Sequence, residues 1–175
     1  MKNTILILGI IISISLNAQK NCKFAINEVD KISGKAVKQT KLLHIVQKFN
    51  VKVGMCMQHY GEEYYFILAF NYGSATGQVG SINIKKDQEL TLLLDNNEKM
   101  VLKCYEDRNG VVSNHSCAIN FVPYQITTEQ IKKLIEHPIT NFRYDRWMNG
   151  ATSFDTFELE KKDQAEIQDV LKCIL

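Results

Sequence analysis

The chain has no apolar run long enough to cross a membrane as a helix. The longest such run, Ile5–Leu16, has twelve residues, whereas a hydrocarbon core needs about 20. Neither sign of charge is in excess, with 21 lysines and arginines against 19 aspartates and glutamates. A near-neutral surface of mixed charge gives no electrostatic reason to expect nucleic acid. We therefore predict no nucleic-acid partner, and no membrane span once the leader described next is removed.

The first nineteen residues have the layout of a secretory signal peptide. Lys2 precedes the apolar run, and the small residue Ala18 stands where polar residues return. We predict cleavage after Ala18, which divides the chain into a signal peptide (1–18) and a secreted or periplasmic part (19–175). An uncleaved N-terminal anchor is the alternative, because Leu16 is larger than the residue usually found at that position.

Five cysteines follow the predicted cleavage site, and in an oxidising compartment they are disulfide candidates. They are Cys22, Cys56, Cys104, Cys117 and Cys173. A hairpin centred near Asn109–Val112 would place Cys104 opposite Cys117, which is the first pair that we predict. Cys22–Cys56 is the second predicted pair, and Cys173 is the candidate free thiol. The alternative is that several of them are small buried apolar residues.

Most of the chain, from about Phe24 to Tyr124, reads as short strands separated by turns rich in Gly, Asn and Asp. Val51–His59 alternates between two faces, Tyr60-Gly61 predicts a tight turn, and Glu62–Phe70 predicts the returning strand. The body of the protein is therefore predicted to be an antiparallel sheet.

The last third of the sequence has helical signals. Thr127 and Gln130 stand at the spacing of a capping box, and Pro138 ends the helix that they begin. A second helix is predicted from near Asp163. No repeat or linker divides the chain, so we predict one α+β domain, mainly antiparallel β. It would be a β-sandwich or a partly closed barrel with two short helices in the C-terminal third.

One strand concentrates soft metal ligands. Met55, Met57 and His59 share a face of the predicted strand, and thioether with imidazole suits copper. The competing interpretation is that the two methionines fill the core, because the same face carries valines and meets aromatic residues. We predict no metal and no cofactor, and keep copper as an alternative through these three residues.

Arg143–Met148 holds the single tryptophan of the chain together with two arginines, residue types that are enriched in binding hot spots. Arg143, Tyr144, Arg146 and Trp147 are therefore the predicted binding residues. The alternative is that Trp147 fills the base of the sheet, in which case its burial would remove this surface.

Catalytic motifs are missing from the sequence. There is no Gly-x-Ser-x-Gly elbow and no cysteine-protease signature, although serine, cysteine, histidine and acidic residues all occur. Glu62-Glu63 lies at a predicted turn, and a glycosidase would need two carboxylates facing one cleft. The catalytic residues, if any, stay unknown at this stage.

The leader ending in Leu16-Asn17-Ala18-Gln19, the β-rich body, Tyr124–Thr127 entering a helix and Ile139–Arg143 resemble small uncharacterised exported proteins of Bacteroidota. Phe142 replaces the second isoleucine of their Ile-x-x-Ile-Arg strand. The resemblance covers the leader and about the last third of the chain. It implies a location in the cell envelope and no particular activity.

These observations favour an exported binding module, without enzymatic activity, whose partner is an unknown protein or small ligand. A hydrolase of envelope or extracellular substrates is the main alternative, and a copper-binding protein is the other. A hydrolase predicts a pocket with convergent polar groups, a copper carrier predicts reachable sulfur atoms, and a binding module predicts an exposed aromatic or apolar patch.

Overall fold

The computed structural model describes residues 22–73, 81–113, 116–148 and 150–175. The predicted signal peptide, residues 1–18, lies outside the described residues. Within them the chain forms two helices, α1 (Thr128–Glu136) and α2 (Lys161–Ile174), and a set of strands. The strands are β1 (Phe24–Val29), β2 (Ala36–Thr40), β3 (Leu43–Lys48), β4 (Val51–Tyr60), β5 (Glu63–Gly73), β6 (Ile82–Ile84), β7 (Glu89–Leu94), β8 (Lys99–Lys103), β9 (Arg108–Asn109), β10 (Val111–Ser113), β11 (Ser116–Ile126), β12 (Ile139–Met148) and β13 (Ala151–Glu158).

The strands form two antiparallel sheets. Sheet A has the order β1-β2-β4-β5-β11-β10, with β3 beside β4, and sheet B has the order β8-β7-β12-β6-β9, with β13 beside β12. Sheet A is open and sheet B curves into a half-barrel. The predicted fold class, mainly antiparallel α+β with two helices in the C-terminal third, is confirmed.

The hairpin of β4 and β5 has the predicted register. Met57 pairs with Phe66, Met55 pairs with Leu68, and the turn at Gly61 has φ +64°. These inward side chains are buried in the main core, which they share with the inner faces of β7, β8 and β12. Burial of one face of each sheet fixes the register, because a slip of one residue would expose the whole apolar set.

The two helices also follow their sequence signals. Thr127 caps α1 with the predicted capping box, in which Thr127 Oγ1 accepts from Gln130 N at 3.2 Å and Gln130 Oε1 accepts from Thr127 N at 2.9 Å. Helix α2 begins at Lys161, two residues before the predicted start, and buries Ile167, Leu171 and Ile174, whereas Val170 is partly buried.

The disulfide predictions are wrong. Cys22 is bonded to Cys173, with a Cα–Cα distance of 5.5 Å, whereas Cys56, Cys104 and Cys117 are buried free thiols. Cys173 is therefore not a free thiol, and neither Cys104–Cys117 nor Cys22–Cys56 forms. The bond ties the segment before β1 to the last turn of α2.

The error on Cys104 and Cys117 has a structural cause. The expected hairpin between them does not exist, because Arg108 in β9 pairs with β6 in sheet B while β10 pairs with β11 in sheet A. The chain crosses between the sheets at Gly110. Cys104 consequently lies opposite Tyr124 of β11. Cys117 is itself in β11, where it pairs with β5 on one side and with β10 on the other.

Candidate functional site

The predicted binding residues of β12 are divided between the two faces of sheet B. Arg143 and Trp147 lie on the outer face, where Trp147 is 37 % exposed and the Arg143 guanidinium lies 5.4 Å from the ring centre of Phe154. Tyr144 is completely buried on the inner face, and Arg146 lies on that face too. Trp147 is therefore not a core plug, and Arg143 and Trp147 are the two residues of the prediction that a partner could reach.

The inner pair belongs to a polar cluster between the sheets. The Asp155 carboxylate accepts hydrogen bonds from the Tyr72 hydroxyl at 3.1 Å, the Tyr144 hydroxyl at 3.0 Å and Arg146 Nη2 at 3.3 Å. Arg146 Nε is also 2.9 Å from Asp155 Oδ2, although its N–H makes no hydrogen bond. Burial and the Asp155 charge raise the pKa of Tyr72, so this phenol stays a neutral donor. The cluster joins β5 to β12 and β13, which makes its role structural.

The candidate copper ligands do not converge on an accessible point. Met55 and Met57 have no exposed surface and pack inside the main core. His59 is half-buried and stacks on Tyr64, with ring centres 4.4 Å apart. Among the described residues there is no group of three or more His, Cys, Asp or Glu side chains placed to hold a metal ion. The packing gives the two methionines the role of core filler.

A second apolar cluster lies on the outer face of sheet A. Cys56, Tyr65 and Ile67 are buried there, away from the main core, and Tyr60 packs against them. Burial raises the pKa of Cys56 to about 12, so the thiol is neutral and unreactive at ordinary pH. A sheet face that buries apolar side chains outside the core needs something to cover it, and here the covering side chains are aromatic.

Tyr60, Tyr65 and Ile67 of this cluster line an open groove of about 340 Å³, here called the Tyr65 groove. This volume is at the lower end of the range for small-molecule sites, about 300–1,000 Å³. The groove crosses β2, β4, β5 and β11 and reaches the segment after β8. Its lining residues are Gln39, Gln58, Tyr60, Tyr65, Ile67, Tyr105, Glu106, Arg108, Phe121 and Pro123.

Hydrogen bonds hold two tyrosine rings of the groove, Tyr60 and Tyr65, and packing holds the third, Tyr105. The Tyr60 hydroxyl contacts Asp30 Oδ2 at 3.1 Å and Ser33 Oγ at 3.0 Å, and the Tyr65 hydroxyl donates to Glu63 Oε2 at 3.0 Å. Tyr105 packs edge-on against Tyr65, with ring centres 5.4 Å apart, and is itself 46 % exposed. The ring faces are thus fixed before any ligand arrives.

Phe121 forms one wall of the groove through an unusual backbone. Its φ is +54°, in the left-handed region that non-glycine residues rarely adopt, and it lies in the register shift of β11 between Ile119 and Val122. The bulge leaves the Phe121 ring 45 % exposed. Such strain, of order 1–3 kcal/mol, persists where the surroundings enforce it, and it is frequent at ligand sites.

Polar groups stand between the rings of the groove. Gln39 and Gln58 face each other across β2 and β4, and each amide carries both donors and an acceptor. At the other end Arg108 pairs with Glu106, and Arg108 Nε is buried without a hydrogen-bond partner among the described residues. The groove therefore offers donors and acceptors beside exposed aromatic faces.

A second, more acidic cleft of about 660 Å³ meets the groove at Tyr105. Glu62, Glu63, Asp87 and Glu129 contribute carboxylates to it. Two of these carboxylates already make hydrogen bonds within the protein. Glu63 accepts one from the Tyr65 hydroxyl, and hydrogen bonds at the first turn of α1 lower the pKa of Glu129.

The Tyr65 groove was not predicted from the sequence, although part of its signal was present. Tyr60 was predicted to lie in the turn, and Tyr65 lies on the face of the β4–β5 hairpin opposite to the one that carries Met55 and Met57. An aromatic residue on a polar face was the available sign. Tyr105 and Phe121 lie in irregular segments, where no periodicity could place them.

Among the described residues no helix is long and apolar enough to cross a membrane. No family model, no curated protein and no solved structure matches this chain.

Proposed function

We propose that the protein is an exported binding module, without enzymatic activity, that holds a carbohydrate chain in the Tyr65 groove. The observation that carries the proposal is a cluster of aromatic rings on a sheet face, of which Tyr105 and Phe121 are exposed, interleaved with amide and charged side chains. This patch fits the exposed aromatic surface expected of a binding module.

The chemistry of a sugar matches the lining of the groove. A pyranose ring has apolar C–H faces, which stack on aromatic rings, and a rim of hydroxyls, which both donate and accept hydrogen bonds. Tyr105 and Phe121 supply ring faces, while Gln39, Gln58 and Arg108 supply the polar partners. Tyr105 packs against Tyr65, whose hydroxyl is hydrogen-bonded to Glu63, so binding costs little ordering of this exposed ring.

Export is supported by two independent features. The leader of the sequence has the layout of a signal peptide, with the apolar run Ile5–Leu16. The Cys22–Cys173 disulfide is of the kind that persists in oxidising compartments such as the periplasm or the extracellular space. A protein in either place meets the polysaccharides of envelopes and secretions.

The test is a glycan array probed with the protein as residues 19–175, followed by calorimetric titration with the soluble oligosaccharides that it retains. We expect binding of an oligosaccharide, and a loss of at least tenfold in affinity for Tyr105→Ala, because that exposed ring supplies a stacking face for the sugar.

The matched control is Trp147→Ala, which removes an exposed aromatic ring from sheet B and should leave the affinity unchanged. The proposal fails if the folded protein retains no glycan. It also fails if Trp147→Ala weakens binding as much as Tyr105→Ala does.

A hydrolase is the second candidate, favoured by the carboxylates of the acidic cleft that meets the groove at Tyr105. Glycoside hydrolysis needs one protonated and one ionised carboxyl group. Glu62 and Asp87 are the two that the fold does not engage through a side-chain hydrogen bond among the described residues. Release of shorter products from a retained oligosaccharide, abolished by Glu62→Gln or Asp87→Asn, would favour this candidate over the binding module.

A further inference from the structure

Strand β13 is paired on one side only among the described strands. It is antiparallel to β12 over eight consecutive pairs, from Asn141–Glu158 to Met148–Ala151, without a bulge. No described strand or helix hydrogen-bonds to its other edge. Its outward side chains are exposed, and Phe154 is 61 % exposed.

The edge of β13 lacks three features that commonly keep strands apart, namely lysine, proline and a bulge. Its sequence, Ala-Thr-Ser-Phe-Asp-Thr-Phe-Glu, contains no lysine and no proline. Exposed edges normally carry such residues, or a bulge, to prevent pairing with another strand. Threonine and phenylalanine are instead residues that favour a paired sheet. The free edge of β13 can therefore accept a strand.

We propose that this strand is β13 of a second copy, so that two chains form a symmetric dimer through antiparallel pairing of β13 with β13. A two-fold interface uses the same patch on both subunits, so the patch must be complementary to itself. Sheet B of one copy would then continue into sheet B of the other.

The register of the dimer follows from the side-chain pattern. Opposite residues of an antiparallel pair point to the same face. In a symmetric pair of identical strands, one residue must therefore lie opposite its own copy, at the two-fold axis. With eight residues in β13, such a register forms at most seven pairs. Two registers reach seven. One sets Asp155 opposite the partner's Asp155, and although Arg146 of the same chain lies beside each carboxylate, two like charges opposite each other are unfavourable.

The other register has no like charges opposite each other. It sets Phe154 opposite the partner's Phe154 at the two-fold axis, with Thr152 opposite the partner's Thr156 on either side. Asp155 then faces the partner's Ser153. In this register β13 can pair with its own copy without placing like charges opposite each other. This self-complementarity is why a second copy is favoured over an unrelated peptide as the occupant.

The outer face of sheet B supports the central pair. Arg143 already lies over the Phe154 ring, so two stacked Arg–Phe pairs would meet at the two-fold axis. Aromatic pairs directly opposite each other are among the favourable cross-strand pairs. The dimer would also cover the most exposed large apolar side chain of sheet B.

Analytical ultracentrifugation of residues 19–175 tests the proposal. We expect the wild-type protein to sediment as a dimer that dissociates on dilution. Phe154→Lys and Phe154→Glu should each be monomeric, because each sets like charges opposite each other at the axis. An equimolar mixture of the two variants should recover the dimer as a heterodimer, because opposite charges then meet. Val101→Lys, an exposed change on β8 of the same sheet, is the control and should stay dimeric.

A cross-linking measurement fixes the register. Oxidised Phe154→Cys should form a disulfide-linked dimer, whereas Thr152→Cys and Thr156→Cys should cross-link efficiently only when mixed with each other. A wild-type monomer throughout the micromolar range, a Phe154→Lys variant that stays dimeric, or a Thr156→Cys variant that cross-links with itself would each overturn the proposal.

Discussion

At the scale of single residues, the hydroxyl group of Tyr124 stands out because it is buried without a partner. Tyr124 has no exposed surface, and its oxygen makes no hydrogen bond among the described residues. Burial raises the pKa of this phenol well above its usual value, so the group stays neutral. An unsatisfied buried hydroxyl costs about 1–3 kcal/mol.

Tyr124→Phe removes that cost and should raise the free energy of unfolding by about 1 kcal/mol, since a small packing loss offsets part of the gain. Urea denaturation followed by circular dichroism measures the change. Tyr144→Phe is the matched control, because Tyr144 is equally buried but donates to Asp155. It should be destabilising by about 1.5–3 kcal/mol, the range for a hydrogen bond to a charged group. Equal effects of the two variants would contradict this account.

Only two of the four predicted binding residues of β12 lie on its outer face. Residue type alone selected Arg143, Tyr144, Arg146 and Trp147 as one surface. The period of two in a strand separates them, because successive side chains point to opposite faces. Once the segment is known to be a strand, Arg143 and Trp147 must share one face, and Tyr144 and Arg146 the other. The sequence did not show which of the two faces meets the core.

At the scale of secondary-structure elements, the crossing between the sheets depends on Gly110. A Cβ atom added there would lie 2.4 Å from Cys117 Sγ and 2.4 Å from the backbone oxygen of Ile82. The Gly110 amide also donates to Ile82 O at 3.0 Å. The two chain segments approach so closely that no side chain fits between them.

Gly110→Ala should therefore lower the free energy of unfolding by about 3 kcal/mol, the upper end of the range for overpacking. Thermal unfolding measures the change. Gly54→Ala is the control, because its added methyl would meet the side chain of Leu42, which is 40 % exposed and can move aside. We expect a loss of about 1 kcal/mol or less there. A Gly110→Ala variant as stable as Gly54→Ala would show that the crossing can relax.

The elements that the sequence predicted are those with local signals. The β4–β5 hairpin has alternation and a turn, and α1 has a capping box and a terminating proline. Strands β9 and β10 have two and three residues and belong to different sheets, so no period exists to detect. This is why a hairpin was predicted between Cys104 and Cys117 and why their pairing was wrong.

At the scale of the whole molecule, the Cys22–Cys173 disulfide closes nearly the entire described chain into a loop. The two cysteines are 151 residues apart in sequence. Long-range contacts of this kind leave no trace in local spacing, which is why the predicted pair was Cys22–Cys56 instead. In the chain-entropy model a loop of this length restricts the unfolded state by about 5 kcal/mol.

Cys22→Ser/Cys173→Ser should lower the free energy of unfolding by about 2–5 kcal/mol, and reductant should do the same to the wild-type protein. Denaturation curves with and without dithiothreitol measure both effects, and reductant should not affect the double variant. Iodoacetamide applied in denaturant without reductant should add three groups by mass, to Cys56, Cys104 and Cys117, and five after reduction.

In the folded protein iodoacetamide should alkylate none of the three free cysteines, and these thiols should not exchange with the Cys22–Cys173 disulfide. Burial raises the pKa of Cys56 to about 12 and that of Cys104 to about 11, and a thiol must ionise before it attacks an alkylating agent or a disulfide. Because these pKa values are higher in the folded than in the unfolded chain, the neutral thiols favour folding below about pH 9, and this contribution is lost as the pH rises towards 12. Native labelling of Cys56 at neutral pH would show that the outer face of sheet A opens, and would contradict the rigid groove on which carbohydrate binding depends.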